Sequence, residues 1–239
     1  MDKKFILFIV EGKNDRIAIE AMLHTEYFAN YREKYKVEFI QTNGDLTTDK
    51  AVNEKNVQEK LNKLLLDFRR NGVPFSNIKP QDIQEIVQVV DLDGAFVQRA
   101  DIIQGKTDKF FYTEESIITS NVDGAWGRNR KKVAILNKLI DVNRIGNVPY
   151  SIYFVSCNMD HVVFDKRNLE PYEKSNGVRR FQKECADKPR VLEESIFKEG
   201  VGTNKTFLES WVEIKEERKS LQRHTNFNLY FGSGAKNSK

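Results

Sequence analysis

Four apolar runs that alternate with segments of helical periodicity constrain the fold of this chain most strongly. They predict β-strands over residues 5–10, 37–45, 83–90 and 151–156. The first run, FILFIV, is apolar at every position, which is typical of a strand that is covered on both faces of a sheet. The alternation predicts an α/β fold in which a mostly parallel, four-stranded sheet is flanked by helices.

The segments between these strands predict three amphipathic helices, over residues 17–27, 52–71 and 130–142. In the second segment, apolar side chains such as Leu61 and Leu65 recur at helical spacing. Asn14 or Asp15 can cap the first helix, because a short polar side chain accepts a hydrogen bond from the first turn. A further short strand is predicted over residues 117–122.

The pattern changes at about residue 165, where the apolar strands end and the chain becomes charged and mostly helical. We therefore predict one domain over residues 1–165, a helical C-terminal appendage over 166–232 and a disordered polar tail over 233–239. Trp211 and the aromatic run NFNLYF near the end of the appendage are expected to be core or dimer contacts.

The charge and the cysteine content narrow the classes of function. With 39 basic and 35 acidic residues, the net charge is +4, a mild surplus that permits nucleic-acid binding without requiring it. Cys157 and Cys185 have no CxxC spacing, which argues for a reducing cytosol and against a disulfide framework or a cysteine zinc site. No apolar run reaches the ~20 residues of a membrane span, so we expect a cytoplasmic protein that does not bind a membrane.

Acidic side chains follow the first and third predicted strands: Glu11 after the first, and Asp91 and Asp93 after the third. Because parallel strands bring their carboxyl ends to one edge of a sheet, these three carboxylates are expected to converge. If the DLD segment stays extended, both aspartates face one side. Clustered carboxylates repel each other unless a cation neutralises them, and magnesium typically binds one or two carboxylates together with water and phosphate. The pattern therefore predicts metal-assisted chemistry on phosphate esters.

Two motifs of this chain resemble those of the Toprim domain, the magnesium-binding module of topoisomerases, primases and several nucleases. The first is VEGKND, in which a strand ends in Glu11 followed by a glycine, and the second is DLDG, in which a strand ends in Asp91 and Asp93. A glycine turn after the second strand also fits the order of the family. The resemblance covers about residues 5–158, and within the family the chain is similar to stand-alone Toprim-like nucleases of the OLD-type and RloB-like, defence-associated kind.

The resemblance implies a Rossmann-like sheet and a magnesium-dependent nuclease that hydrolyses phosphodiester bonds in DNA or RNA, in the context of phage defence. Glu11, Asp91 and Asp93 would hold Mg²⁺, for which Mn²⁺ can substitute. Asp15, four residues after the glutamate, would join these three acids as a catalytic residue.

The fourth strand is followed by SCNMDH, in the place where the family carries a small polar turn and an acid. Asp160 and His161 are therefore further candidate site residues. Effectors of this kind can be held silent until a second component releases them, so a regulatory protein partner and a homo-oligomer are both compatible with the resemblance.

The candidate substrate-binding residues are basic side chains in two places. They are Lys13 in the first motif and, beside Trp126, Arg128, Arg130, Lys131 and Lys132. Basic side chains next to an aromatic ring can bind a nucleic-acid backbone. A solvated helix face and a solvated turn lysine are the structural alternatives.

Other interpretations of the acids stay open. Glu11 can be an acid that the helix dipole favours, DLDG can be a strand-to-turn junction, and His161 can be a hydrogen-bonded structural histidine. DLDG also resembles the first motif of haloacid-dehalogenase-type phosphatases, in which Asp91 would be the nucleophile, but that motif leaves Glu11 without a role. A Toprim scaffold without catalytic activity, which binds nucleic acid or a partner protein, is a further alternative.

Overall fold

A mostly parallel β-sheet forms the centre of the computed structural model, which describes residues 3–71, 78–188 and 190–235. The strands are β1 (Lys4–Val10), β2 (Tyr35–Gln41), β3 (Ile83–Asp91), β4 (Ile102–Gln104), β5 (Phe111–Tyr112), β6 (Ile117–Thr119), β7 (Arg144–Ile145), β8 (Val148–Ser156) and β9 (His224–Thr225). Four parallel strands lie side by side in the order β2-β1-β3-β8. These are the four predicted strands, and the short strands β7 and β9 add antiparallel pairs to β8.

Helices flank this sheet, which confirms the predicted α/β class. They are α1 (Lys13–His24), α2 (Ala29–Lys34), α3 (Val57–Asn71), α4 (Val122–Ile140), α5 (Met159–Phe164), α6 (Pro171–Asp187), α7 (Phe207–Glu213) and α8 (Phe227–Ala235). Short 3₁₀ turns lie at Glu26–Phe28, Pro80–Asp82, Arg99–Asp101 and Lys219–Leu221. None of the helices in the described ranges is long and apolar enough to cross a membrane.

Strand β1 is buried on both faces because helices cover the two sides of the sheet. Leu7 packs into one apolar cluster with Leu61 of α3 and Leu136 of α4. Phe8 points to the opposite side and packs into a second cluster with Met22 of α1 and side chains of α6 and α8. Each fully buried side chain of this kind contributes roughly 1.5–3 kcal/mol. The uninterrupted apolar run therefore fixes β1 at the centre of the sheet.

The first helix begins at Lys13 instead of the predicted residue 17, because its start is stabilised before the apolar pattern begins. Gly12 precedes the helix with extended backbone and donates its N–H to Asp15 Oδ2 at 2.9 Å. Asp15 thus stabilises the helix start from within the first turn, and not from the capping position itself. Helix α3 begins at Val57 instead of residue 52.

Helix α4 begins at Val122, well before the predicted residue 130. Asn121 caps it by accepting a hydrogen bond from the Gly124 N–H at 2.9 Å. The strand predicted over 117–122 is β6, which pairs with β4 and β5 in a separate three-stranded sheet. This small sheet belongs to the connection between β3 and α4, next to the carboxyl edge of the main sheet.

The segment after residue 165 packs on the central sheet. Strand β9 pairs with β8 through Val155 and Thr225. The ring centroids of Trp211 and Phe154 are 4.9 Å apart. The aromatic side chains of α8, including Phe227, belong to the same cluster as Phe8. The NFNLYF run is therefore part of the core. Helix α8 extends to Ala235 within the predicted tail, and residues 236–239 lie outside the described residues.

Candidate active site

Acidic side chains from three neighbouring strands meet at the carboxyl edge of the sheet. Glu11 follows β1, Asp45 lies in the loop after β2, Asp91 ends β3, and Asp93 lies two residues further on. Burial and then the charge of Asp45 raise the pKa of Glu11 well above its usual range, and burial and then the charge of Glu11 do the same for Asp91. Parallel pairing of β1 with both β2 and β3 is what brings these acids together.

The DLDG segment turns sharply, so the assumption of an extended segment is wrong. Asp93 and Gly94 have φ values of +50° and +66°, in the left-handed region. A Cβ at Gly94 would lie 2.6 Å from the buried Leu221 side chain, so both space and conformation favour glycine here. The Asp93 N–H donates to the Cys157 carbonyl at 2.7 Å, which fixes this turn beside the end of β8.

Asp93 and Asp45 share one buried cation. Lys132 Nζ lies 2.8 Å from Asp45 Oδ2 and 2.8 Å from Asp93 Oδ2, and the lysine side chain is 0% exposed. Burial alone opposes the charge of Asp93, but Lys132 and then Arg128 outweigh burial and hold the pKa of Asp93 below its usual range. Lys132, predicted to contact substrate, is therefore buried inside the acid cluster.

Lys132 is buried because helix α4 is rotated so that this lysine lies on its core-facing side. The buried face of α4 consists of Ala125, Asn129, Lys132, Ile135, Leu136 and Leu139. Asn129 Nδ2 donates to the Gly94 carbonyl at 2.9 Å, so the same face is docked on the DLDG turn. A lysine four residues before Leu136 lies in core register, and this spacing is the signal by which sequence reasoning would have found it.

Glu11 and Asp91 have no ion-pair partner among the described residues. Glu11 Oε1 is buried and accepts no hydrogen bond there. Asp91 Oδ1 accepts a hydrogen bond from the Met159 N–H at 2.9 Å, in the first turn of α5. This half of the cluster therefore carries acidic groups that lack a positive neighbour within ion-pair distance.

A second lysine that sequence reasoning missed lies next to this half. Lys174 Nζ, from α6, is 2.9 Å from Asp160 Oδ2, with side-chain exposures of 37% and 9%. Burial, opposed by the hydrogen bond from Gly12 and reinforced by the charge of Asp160, raises the pKa of Asp15 to about 6. Asp15 and Asp160 are therefore neighbours of the cluster. Lys174 gave no signal because acids and bases alternate throughout its segment.

His161 has a structural environment. The Cys157 N–H donates to His161 Nδ1 at 2.9 Å, and the ring is 1% exposed. Burial and then Arg167 lower the pKa of His161 to about 4, so the ring is neutral at pH 7. The nearest acid is Asp165, whose Oδ1 lies 3.9 Å from Nε2. His161 thus positions the backbone between β8 and α5.

The predicted basic segment divides into internal and surface side chains. Arg128 donates hydrogen bonds to the Asp93 carbonyl at 2.9 Å and to the Tyr112 hydroxyl at 3.1 Å. Its Cζ lies 4.2 Å from the centroid of the Phe110 ring. Lys131 donates to the backbone carbonyl of Asp49. Arg130 and, at the start of α1, Lys13 are exposed. Arg128 therefore supports the DLDG turn, whereas Arg130 and Lys13 are available at the surface.

The oxygen chemistry of this cluster fits magnesium, although the ligands do not form a closed cage. Among the residues that the structure describes, no group of three or more His, Cys, Asp or Glu side chains is arranged to hold a metal ion. Magnesium, however, is commonly bound through one or two carboxylates and several waters. Among the described residues, Glu11 Oε1 is buried and has no hydrogen-bond partner, and the neighbouring Asp91 forms no ion pair. This pair is the part of the site that fits a divalent cation.

Comparison of the chain with protein-family models, with curated proteins and with solved structures finds no match. The resemblance to the Toprim domain therefore remains a prediction that rests on the motifs.

Proposed function

We propose that this protein is a magnesium-dependent nuclease that hydrolyses phosphodiester bonds in DNA or RNA. The observation that carries the proposal is the convergence of Glu11, Asp91 and Asp93 at the carboxyl edge of a parallel sheet, with a buried Glu11 oxygen that has no hydrogen-bond partner in the part of the chain that the structure describes. Acids such as Glu11 and Asp91, whose pKa values are raised by burial, are typical of functional sites in such a position. A role in phage defence follows only from the motif resemblance.

Each acid has a distinct part in this proposal. Glu11 and Asp91 would hold the ion, and Asp93 would complete the set through Oδ1, since its Oδ2 is bonded to Lys132. When bound, Mg²⁺ supplies positive charge that lowers the pKa of water and offsets charge on the phosphate. Asp15, with a pKa of about 6, can accept and return a proton near neutral pH.

The surface next to the site provides positive charge for the nucleic-acid backbone. Arg130 and Lys13 are exposed, and Lys131 is half-buried on the same helix as Lys132. Such side chains bind phosphates without reading sequence, and their contribution falls as the salt concentration rises. We therefore expect substrate binding to weaken with salt, and substrate choice to depend on strand form more than on base sequence.

The test is cleavage of a panel of supercoiled plasmid, single-stranded DNA and structured RNA, with Mg²⁺, with Mn²⁺ and with chelator. We expect cleavage only with a divalent ion, and a loss of at least roughly 100-fold in Glu11→Gln and in Asp91→Asn. Glu59→Gln and Asp67→Asn, which change exposed acids on α3, are matched controls and should cleave as the wild type does.

Other outcomes identify the alternatives. Hydrolysis of a phosphomonoester that depends on Asp91 and tolerates Glu11→Gln would support the phosphatase. Salt-sensitive binding of nucleic acid without cleavage under any metal condition would support a scaffold.

A further inference from the structure

We propose that Lys132 is a fixed internal cation that limits the carboxylate cluster to a single divalent ion. The inference rests on the proposed function, because it concerns the same metal site. Its basis is geometric: Lys132 Nζ lies 2.8 Å from one oxygen of Asp45 and 2.8 Å from one oxygen of Asp93. The ammonium group therefore bridges the ends of two neighbouring strands, as a metal ion can do.

The lysine is held in place. Its side chain is 0% exposed, and it lies on the buried face of α4 between Asn129 and Leu136. Asn129 ties that face to the Gly94 carbonyl at 2.9 Å. A buried ammonium group is unfavourable unless it is paired, so Lys132 remains with Asp45 and Asp93 and does not turn outward to bind substrate.

The cluster is thereby divided into two halves of different charge. In one half, Lys132 forms ion pairs with both Asp45 and Asp93. In the other half, Glu11 and Asp91 have no ion-pair partner in the described part of the chain, and Glu11 Oε1 is buried without a hydrogen bond. A divalent ion from solution is therefore expected to bind Glu11 and Asp91, with Asp93 Oδ1 completing its ligands.

This division bears on how many metal ions take part. Two-metal phosphoryl-transfer sites hold their ions about 3.5–4 Å apart, and both ions then need carboxylate oxygens. Here the ammonium group uses one oxygen of Asp93 and one of Asp45, and its charge repels a second divalent ion from that half. Lys132 is thus a positioning residue that stands in for the second ion.

The test is Mn²⁺ binding to the full-length chain, measured by titration calorimetry and by the electron paramagnetic resonance of unbound Mn²⁺, without nucleic acid. We expect one ion per wild-type chain and two per Lys132→Met chain, because the substitution releases Asp45 and Asp93. Lys138→Met removes a charge from an exposed position on the same helix and should still bind one ion. Two ions in the wild type, or one ion in folded Lys132→Met, would overturn the inference.

A second pair of variants decides the question if Lys132→Met does not fold. Asp45→Asn keeps the lysine and should change the Mn²⁺ Kd about fivefold or less, the range of a charge change outside the ligands. Asp91→Asn should weaken binding by about 10–100-fold or more. A loss in Asp45→Asn as large as that in Asp91→Asn would make Asp45 a ligand and overturn the inference.

The binding assay also separates this inference from the nuclease proposal. One bound ion without cleavage of any nucleic acid refutes the nuclease and leaves the role of Lys132 in place. Two bound ions with cleavage refute the role of Lys132 and leave the nuclease in place. A wild-type chain that binds no Mn²⁺ refutes both.

Discussion

The substitution Asp15→Asn should stabilise the protein in the absence of metal. Asp15 lies in the first turn of α1, where its Oδ2 accepts a hydrogen bond from the Gly12 N–H at 2.9 Å. An asparagine oxygen can accept the same bond. What the substitution removes is a negative charge that burial and the nearby Asp160 make unfavourable, as the raised pKa of Asp15 reflects.

The size of the effect follows from linkage between protonation and folding. The pKa of Asp15 is raised from 3.8 to about 6 in the folded protein, so ionisation of Asp15 opposes folding, and its cost grows from about pH 4 to about pH 6 and is constant above that. At 1.36 kcal/mol per pKa unit, the cost is about 3 kcal/mol at pH 8 and about half of that at pH 5. The same substitution also removes a favourable interaction between the Asp15 charge and the helix dipole, which lowers the gain by about 0.3–1 kcal/mol. The net gain should therefore be about 2 kcal/mol at pH 8.

The measurement is urea unfolding at pH 8 and at pH 5 in the presence of chelator, followed by circular dichroism. We expect Asp15→Asn to raise the free energy of unfolding at pH 8 and to raise it less at pH 5. Asp67→Asn, at an exposed position of α3, is the matched control and should shift neither value appreciably. A destabilised Asp15→Asn, or a gain that does not shrink as the pH falls, would refute the reasoning.

Three further predictions concern the surroundings of the site. Because burial lowers the pKa of His161 from 6.5 to about 4, the wild type should lose up to about 3 kcal/mol relative to His161→Gln as the pH falls from 7 to 4; parallel curves of unfolding free energy against pH would contradict this. Lys174→Met leaves the buried Asp160 without its ion-pair partner and should cost about 1–3 kcal/mol of unfolding free energy. Asp160→Asn leaves a lysine whose side chain is 37% exposed, so it should cost less than about 1 kcal/mol. Equal losses of the two variants in urea unfolding would show that burial does not set the difference. Gly94→Ala, with φ at +66° and a leucine 2.6 Å from the added Cβ, should cost about 1–3 kcal/mol in urea unfolding. Gly127→Ala, inside α4 with nothing within 4 Å of the added Cβ, should instead stabilise the protein by up to about 1 kcal/mol; equal losses in both variants would contradict this.

The arrangement of the sheet was accessible from the sequence because it depends on local patterns. Apolar runs of strand length that alternate with helical segments leave little choice but parallel pairing, and parallel pairing brings Glu11, Asp91 and the loop with Asp45 to one edge. The sequence did not predict the roles of side chains that depend on how a helix is rotated or where it packs. Lys132 follows three basic positions in a segment that looks solvated, and only the docking of α4 turns it inward. Lys174 reaches the site from α6, far away in the sequence.

The hydrogen bonds that Asp15 and Asp91 accept do not explain why these positions carry acids and not amides. Asp15 stabilises the start of α1, and Asp91 accepts the Met159 N–H at the start of α5. Asparagine would accept both bonds without the unfavourable burial that raises the pKa values of these carboxyls. Burial of Glu11 beside them adds repulsion and gives no hydrogen bond to Oε1 in the described structure. Such a cluster is unfavourable for folding alone and becomes favourable when a cation binds, because a ligand that binds only the folded state stabilises that state. This difference in free energy favours a cation-binding site over a set of turn and capping residues.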